Sequence, residues 1–492
     1  MLNIPKISSC KIIKNFHISN NFFFFFLILN KIKNTMSFIL IKNGTIINST
    51  ASFVADVLIK NKSIALIGQN IPKPLSATVI DASGKFIIPG GIDPHVHLDL
   101  PTPAGNSSDD FYTGSKAAFA GGTTSFIDFV TPSKGESLIK ALNERKAVAE
   151  NSLADYSFHM GITWWDPSLE AEIKQCIEKE GITSFKTYLA YKGSIGISYD
   201  ELFEAMKAVA KYNGMITVHC EDGDKVLELQ KQLIKEGKTS PRFHAQSRPA
   251  IVEAEAVEKV LQMASITQCK TYLVHISAAL SMQKIKEYNL PNVIAETCPH
   301  YLLLNESVYD NDNFDTAKYV ISPPLRSVDD NKILWKKLSD NCIKTIGTDH
   351  CPFNLIGQKD AGKDNFMRIP NGAGSIEYRL SLLYTYGVLS GKISKEQWVA
   401  LSSANAAEIF GLSNKGKIAS CYDADIVIWN PETESCITTE NQQQRCDSNI
   451  YEGFTLKGSA EMVFSKGQMV YDKGDFFIKG IKGDFMSRKV NK

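Results

Sequence analysis

The feature that most constrains the fold is an alternation of short β-type runs with helical stretches through the middle of the chain. Stretches with apolar residues at helical spacing, such as ESLIKALNERKAVAEN and DELFEAMKAVAKY, separate the runs. Eight alternating strands predict an α/β fold, a (β/α)8 TIM-like barrel, and the strand count favours it over a doubly wound open sheet. The eight runs are FIIPGGI, TSFIDFV, YSFHMGI, TSFKTYL, MITVHC, TYLVHI, NVIAETC and TIGTDH.

Both ends of the chain are rich in β-type sequence and poor in strong helices. FILIKNGTIIN and ADVLIKNKSIALIG precede the barrel region, and GKIASCYDADIVIWNP and AEMVFSKGQMVYDKG follow it. We place a hairpin turn at Asn43-Gly44, a dipeptide typical of such turns. The two ends are expected to pair as one small sheet domain. The boundaries that follow are 37–88 and 413–492 for the two parts of this domain, the latter with a C-terminal tail, and 89–412 for the barrel.

Residues 1–36 are set apart from the fold by their composition. They contain no acidic residue, and Phe22 to Leu29 is an unbroken apolar run. The run is shorter than the roughly 18 residues that a membrane span requires, and its length suits a signal-peptide core. No small-residue cleavage site follows it. We expect a low-complexity, disordered extension with Met36 as a plausible start, and targeting stays an open alternative.

Charge and cysteine usage limit the classes of partner. The formal net charge is +1, so no global field recruits nucleic acid or an anionic membrane, and neither is expected as a partner. The ten cysteines include no C-x-x-C pair. In a chain of this length that pattern indicates reduced thiols, and we expect a cytoplasmic protein.

Side chains that can bind metals stand at the C-terminal ends of five of the eight runs. In a parallel barrel these ends share one face, where barrel enzymes place their chemistry. Four imidazoles and a carboxylate suit zinc or a similar first-row divalent ion. The residues are His95 and His97 on the first run, Lys186 on the fourth, His219 on the fifth, His275 on the sixth and Asp349 on the eighth.

Each of these residues taken alone has a simpler interpretation. A lone H-x-H can be two core or surface histidines, and Asp349 can cap a helix. The remaining histidines serve as a comparison: His159 is assigned to the core, and His300 and His350 at most to a layer behind the ligands. The joint pattern at five strand ends favours a metal site.

Lys186 is unusual because it lies between Phe185 and Thr187 in an apolar strand. An unpaired ammonium is costly to bury there, although its stem could follow the strand and bring the head to water. Beside two divalent cations the ammonium form is strongly disfavoured. The neutral amine can react with carbon dioxide to give a carbamate, a bidentate anion able to bridge two metals.

Seven motifs resemble, in order from about residue 38 to 475, the dihydropyrimidinase and hydantoinase branch of the cyclic amidohydrolases: GGIDPHVHLD, SFKTYLAYK, VHCED, LVHIS, SPPLR, GTDHCPF and IPNG. The resemblance implies a barrel with a β-sandwich domain built from both chain ends, a homotetramer, and two zinc ions per subunit. One zinc would be bound by His95, His97, Asp349 and Lys186 as N6-carboxylysine. The other would be bound by Lys186, His219 and His275.

The resemblance also implies roles around the metals. Asp349 would act as the catalytic acid and base, and Tyr191 would stabilise the oxyanion and contact the substrate. Ser322 and Asn371 would bind the ureide edge of the substrate, mainly through backbone groups. The structural alternatives are a packing role for Tyr191 and turn formation for the other two, since Pro and Gly surround them.

The residue after H-x-H is Leu98, whereas dihydroorotases, which share this layout, use an arginine there to bind a substrate carboxylate. The resemblance therefore implies opening of an uncharged ring, 5,6-dihydrouracil or dihydrothymine, to an N-carbamoyl-β-amino acid in pyrimidine catabolism. A hydantoinase or allantoinase is the enzymatic alternative, and specificity is expected in loops 100–111 and 192–199. A non-enzymatic adaptor of the collapsin-response mediator type is disfavoured, because all six ligand positions are filled.

Overall fold

Two sheets contain the strands of the structure, a computed structural model that describes residues 37–311 and 313–490. The predictions for residues 1–36 lie outside the described residues. The first five strands are β1 (Phe38–Ile47), β2 (Ser52–Lys60), β3 (Ser63–Gly68), β4 (Ala77–Asp81) and β5 (Phe86–Pro89). The next eight are β6 (Gly91–Asp93), β7 (Thr123–Val130), β8 (Asp155–Gly161), β9 (Ser184–Tyr188), β10 (Met215–His219), β11 (Lys270–Leu273), β12 (Val293–Thr297) and β13 (Ile343–Ile346). The last four are β14 (Ile426–Cys436), β15 (Thr455–Ser465), β16 (Gln468–Asp472) and β17 (Asp475–Phe476).

The α-helices of the described residues fall mainly between the strands β6 to β13 and after them. They are α1 (Phe111–Ala120), α2 (Leu138–Val148), α3 (Leu169–Gln175), α4 (Tyr199–Lys211), α5 (Gly223–Lys235), α6 (Ala250–Thr267), α7 (Ala279–Tyr288), α8 (Pro299–Leu303), α9 (Val328–Ser339), α10 (Arg379–Leu383), α11 (Lys395–Val399) and α12 (Asn405–Ile409). None of the helices described is long and apolar enough to cross a membrane.

Strands β6 to β13 form the predicted barrel. Each pairs in parallel with the next in sequence, and a parallel bridge between Val96 and His350 joins the first strand end to the last. Every residue of β7, β8, β9 and β10 is buried. Burial on both faces explains why the sequences of these strands are almost continuous apolar runs. The predicted fold class is confirmed.

The two chain ends meet in a second sheet of nine strands within the described residues. At its centre, β5 pairs in parallel with β1 and antiparallel with β14, with Ile88 opposite Val427. The pairing of the chain ends is therefore confirmed. The boundaries at 88/89 and 412/413, which would divide the sheet and the barrel into separate domains, stay a prediction.

Two local predictions are wrong. Asn43-Gly44 makes no hairpin turn: it is an irregularity inside β1, where the pairing with β2 shifts register and Asn43 has a φ of 63°. The left-handed conformation that the dipeptide favours is used to bulge a strand instead of reversing it. The run FIIPGGI is two strands, since 86–89 join the flanking sheet and 91–93 start the barrel.

Helix α4 shows how sequence places the barrel helices. Its N-cap Ser198 forms a capping box with Glu201, which satisfies two of the first free backbone N–H groups. Leu202, Met206 and Val209 recur at helical spacing and are buried. The helix starts after the loop that carries Tyr191, so its cap fixes where that loop ends.

Candidate metal centre and substrate pocket

A cavity of about 780 Å³ opens at the C-terminal ends of the barrel strands. All residues to which the sequence analysis gave a metal or substrate role line this cavity, although they are spread over the chain. They are His95, His97, Lys186, Tyr191, His219, His275, Ser322, Asp349 and Asn371. The structure thus brings the predicted set together on the face where barrel enzymes act.

Asp93, the last residue of β6, fixes the approach of the first and last strand ends. Its Oδ1 accepts hydrogen bonds from the backbone N–H groups of His95 and Thr348, each at 3.1 Å. Its Oδ2 accepts from the Thr348 hydroxyl at 2.6 Å. Asp93 is fully buried, and burial raises its pKa. The carboxyl group therefore holds the loop with His95 beside the loop with Asp349.

His95, His97 and Asp349 form one corner of the site. The Nε2 atoms of both histidines lie 3.1 Å from Oδ1 of Asp349. On its other side, Nδ1 of His95 lies 2.8 Å from Oε1 of the buried Glu296. Burial acts to lower the pKa of His95, but Glu296 and Asp349 raise it to about 9. This corner therefore favours positive charge.

His219 and His275 form a second corner, which adjoins the first because the ring centroids of His275 and His95 lie 5.4 Å apart. Nδ1 of His219 lies 3.0 Å from Nε2 of His275, and Nε2 of His219 lies 2.8 Å from Oε2 of Glu221. Burial opposes ionisation of Glu221, but Arg248 and His219 lower its pKa to about 2. An ionised carboxylate only accepts, so His219 carries its proton on Nε2. Since burial lowers the pKa of His219, the ring is neutral, and its Nδ1 carries a lone pair that faces Nε2 of His275.

Lys186 lies in β9 and lines the same cavity as these side chains, with 1% of its surface exposed. Its Nζ is 5.1 Å from the ring centroid of Phe129 and 5.0 Å from that of Tyr188. Burial lowers the pKa of Lys186 to about 8, against the opposing pull of Asp349 and Glu296. No ion pair within 4 Å involves this lysine among the described residues. The neutral amine is therefore easier to reach than that of an exposed lysine, although the ammonium form still predominates at pH 7.

The donor set fits a divalent cation. One donor atom from each of His95, His275 and Asp349 lies within 4.8 Å of the others. Nδ1 of His275 is buried and lacks a hydrogen-bond partner among the described residues. Buried polar atoms without partners are rare in folded proteins and call for an explanation. Imidazole nitrogens beside a carboxylate oxygen are the ligands that zinc and related ions take.

The opposite wall carries the residues expected to contact substrate. The ring of Tyr191 lies 5.4 Å from that of His219 between centroids, and the Arg248 guanidinium lies 5.6 Å from the Tyr191 ring. Burial raises the pKa of Tyr191, so its hydroxyl stays protonated and able to donate. Facing it, Asn371 Nδ2 donates to Ser322 Oγ at 2.9 Å.

The walls include one segment that the sequence analysis missed. Leu100 to Ala104 and Ser194 to Ile195 come from the two loops in which specificity was expected. A third segment, 361–372, also contributes, with Met367, Arg368 and Ile369. The IPNG motif at its end was the available signal, but the motif was assigned only to ring binding.

Three buried carboxylates that orient the site were also not assigned a role: Asp93, Glu221 and Glu296. Glu221 lies inside the quoted motif VHCED, and Glu296 interrupts the apolar run NVIAETC. An acidic residue within or directly after an apolar run was the sequence signal that could have identified both residues. His159, assigned to the core, is buried with Nδ1 2.6 Å from Ser184 Oγ.

Comparison with known proteins gives consistent matches over most of the chain. The family model described as "Amidohydrolase family" matches residues 86–470. A D-hydantoinase of Geobacillus stearothermophilus is 40% identical over 454 residues, which are 91% of this chain and 96% of that protein. A dihydropyrimidinase of Arabidopsis thaliana is 38% identical over 452 residues, 91% of this chain and 85% of that protein.

Solved structures agree with these matches. The crystal structure of dihydropyrimidinase from Brevibacillus agri superposes with a TM-score of 0.91 at 38% identity and covers 92% of this chain and 99% of that one. An L-hydantoinase from Arthrobacter aurescens superposes with a TM-score of 0.81 at 25% identity, over 91% of this chain.

Proposed function

The chain belongs to the amidohydrolase family, in its dihydropyrimidinase and hydantoinase branch, and we propose that it is a zinc-dependent enzyme opening 5,6-dihydrouracil and dihydrothymine to N-carbamoyl-β-amino acids. It is a hydrolase of cyclic amides. The observation that carries the proposal is the gathering of four imidazoles, Lys186 and Asp349 around one cavity at the barrel mouth.

Two zinc ions are proposed to bind here, with N6-carboxylated Lys186 as their shared ligand. His95, His97 and Asp349 would complete one set and His219 and His275 the other. When bound, such a pair supplies a nucleophile from water at neutral pH and polarises a ring carbonyl. The chain contributes by orientation: Glu296 fixes the ring of His95, and Glu221 fixes that of His219.

Asp349 is proposed to move the proton of the reaction. Its carboxylate faces the cavity and is the one acidic side chain among the residues that line it. Burial acts to raise its pKa, but His95 and His97 hold the pKa well below its usual range. The group is therefore ionised, the form that a general base needs, and we propose that it accepts a proton from the attacking water and passes it to the leaving ring nitrogen.

The part of the pocket around Leu98 suits an uncharged ring. Leu98 is fully buried, and its backbone N–H donates to Asp128 at 2.8 Å. The nearby Arg145 is bound to the same carboxylate and to the carbonyls of Leu98 and Asp99. Neither side chain offers a cation to a substrate carboxylate beside the metal corner. Ser322 and Asn371 would bind the ureide edge.

Replacing Tyr191 with phenylalanine tests the proposed oxyanion role. We expect kcat to fall about 10²- to 10³-fold, the usual effect of losing one donor to developing negative charge, with KM and metal content nearly unchanged. Steady-state kinetics and metal analysis would measure both. Tyr199→Phe is the matched control, because the Tyr199 hydroxyl donates to Asp222 and does not line the cavity. Full kcat in Tyr191→Phe contradicts the assignment.

One alternative has a specific observation in its favour. Leu100, Ile195, Met367 and Ile369 make an apolar wall that could receive the substituent on a 5-substituted hydantoin. Allantoin, with a polar ureido substituent, suits this wall less well.

A substrate panel separates these activities. Initial rates for dihydrouracil, dihydrothymine, hydantoin, 5-phenylhydantoin and allantoin are compared on one preparation of known zinc content. We expect the highest kcat/KM for the two dihydropyrimidines. A clear preference for a hydantoin or for allantoin would move the substrate assignment, and absence of hydrolysis with zinc bound would support the adaptor alternative. We also propose a cytoplasmic homotetramer, which light scattering and cell fractionation would test.

A further inference from the structure

We propose that Lys359 is the positioning residue that holds the two substrate-binding backbone segments, around Ser322 and Asn371, in register with each other. The inference rests on the proposed function, since the register matters only if both segments bind one ring. Lys359 itself does not line the cavity and touches neither substrate nor metal ligands.

The environment of Lys359 is unusual for a lysine. Only 1% of its surface is exposed, and Nζ donates to the backbone carbonyls of Val320 at 3.1 Å and Pro370 at 3.0 Å. No carboxylate lies within 4 Å of it in the described part of the chain. Burying a cation without a counter-ion is costly, and burial lowers the pKa of Lys359 to about 7. A neutral amine has two N–H groups, which match the two carbonyls.

The two carbonyls belong to the two segments in question. Val320 precedes Ser322 by two residues, and Pro370 directly precedes Asn371. The segments are already linked at their ends: Gly372 N–H donates to Val320 O at 3.1 Å, and Asn371 Nδ2 donates to Ser322 Oγ. Lys359 adds a contact from behind that reaches both backbones with one atom.

Other buried side chains hold the neighbouring carbonyls of the first segment. His244 Nε2 lies 2.7 Å from Ile321 O, and the Tyr301 hydroxyl donates to Pro323 O at 2.6 Å. Burial lowers the pKa of His244 to about 3, so the ring is neutral and donates from Nε2. The carbonyls on both sides of Ser322 are therefore occupied.

Ser322 itself is different. Its backbone N–H and C=O have no hydrogen-bond partner in the described part of the protein, and the residue lines the cavity. Buried backbone groups are normally paired, so a free N–H and C=O at a pocket wall are available to a ligand. Because the adjacent carbonyls are already hydrogen-bonded, the backbone N–H and C=O of Ser322 are the groups left for the ureide edge. Lys359 sets the distance between these two groups and the Asn371 backbone.

Two variants of Lys359 separate hydrogen bonding from packing. Methionine and glutamine have similar length, but only glutamine retains a donor. For Lys359→Met we expect KM for dihydrouracil to rise about ten- to a hundredfold, because misplacement of about 1 Å has effects of this size. We expect kcat within about threefold of wild type at unchanged zinc content, since the metal corner is untouched. Lys359→Gln is expected to recover part of the KM.

Lys415→Met is the matched control for losing a buried lysine. Lys415 is bound to Asp155 at 2.9 Å and to Asp425, away from the cavity. The Lys415→Met substitution should lower the melting temperature without changing KM for dihydrouracil. An unchanged KM in Lys359→Met, or a fall in kcat accompanied by loss of zinc, overturns the proposal.

Hydrogen exchange without substrate distinguishes failure of this proposal from failure of the proposed function. In Lys359→Met, amides in 318–326 and 368–374 should exchange faster than in wild type, while those of β9 and β10 stay protected. Unchanged exchange in both segments overturns the positioning role whatever the activity. If Lys359→Met exchanges faster in both segments but the wild-type protein hydrolyses none of the rings, the positioning role of Lys359 is upheld and the proposed function is rejected.

Discussion

Replacing Lys186 with alanine is expected to remove the proposed zinc pair and to lower the hydrolysis rate on the order of 10⁴-fold, because the proposed nucleophile would lose the metals that make it available at neutral pH. Lys186 is the one ligand proposed for both metals, and it lines the same cavity as the five other proposed ligands. Zinc per chain, measured by mass spectrometry of the metal, and the rate on dihydrouracil are the two readouts.

The proposed carbamate on Lys186 can be tested with small anions that would take its place. Acetate or propionate added to Lys186→Ala should restore part of the zinc content and activity, since a short carboxylate can occupy the space of the lost bridge. For wild-type protein freed of metal, recovery with zinc should be faster with bicarbonate present. Lys415→Ala, another buried lysine, should keep both zinc ions and respond to neither additive. A Lys186→Ala protein with two zinc ions and full turnover contradicts the proposed role.

The second large effect is expected for Asp349→Asn. Asparagine keeps the shape of the side chain but cannot accept a proton at neutral pH, and its carboxamide is a weaker metal ligand. We expect kcat to fall about 10³- to 10⁴-fold, as for loss of general acid–base catalysis combined with a damaged ligand set. Rates at several pH values and zinc content per chain would measure the change.

The control for Asp349 is Asp155→Asn. Asp155 is also buried but starts β8 at the opposite end of the barrel, where it pairs with Lys415. Its replacement should cost stability and leave kcat near wild type. If Asp349→Asn keeps the wild-type rate and pH profile, proton transfer must be assigned to another group.

Sequence was sufficient for the barrel and for the residues proposed to bind metal and substrate at its mouth. The strands β7 to β10 are buried on both faces, so their apolar runs are visible without knowledge of partners. The parallel barrel then places the strand ends on one face, and this alone brings Lys186 and His275 to the same cavity.

Sequence was insufficient where the outcome depends on a distant partner. β5 joins the flanking sheet because Ile88 pairs with Val427 of β14. The sequence around residue 88 contains no signal that predicts this partner. Asn43-Gly44 has the local signature of a turn, but the pairing of β1 with β2 on both sides of it overrides that signature. Lys359 is similar, since its two acceptors lie in segments 50 residues apart, Val320 and Pro370.

The most direct test of the central claim is a crystal structure with an anomalous difference map recorded at the zinc edge. Our account predicts two peaks in the cavity, about 3.5–4 Å apart, one beside His95, His97 and Asp349 and one beside His219 and His275, with continuous density from Lys186 Nζ extending between them. A single peak, or a pair with an unmodified Lys186 turned away from it, would contradict the account.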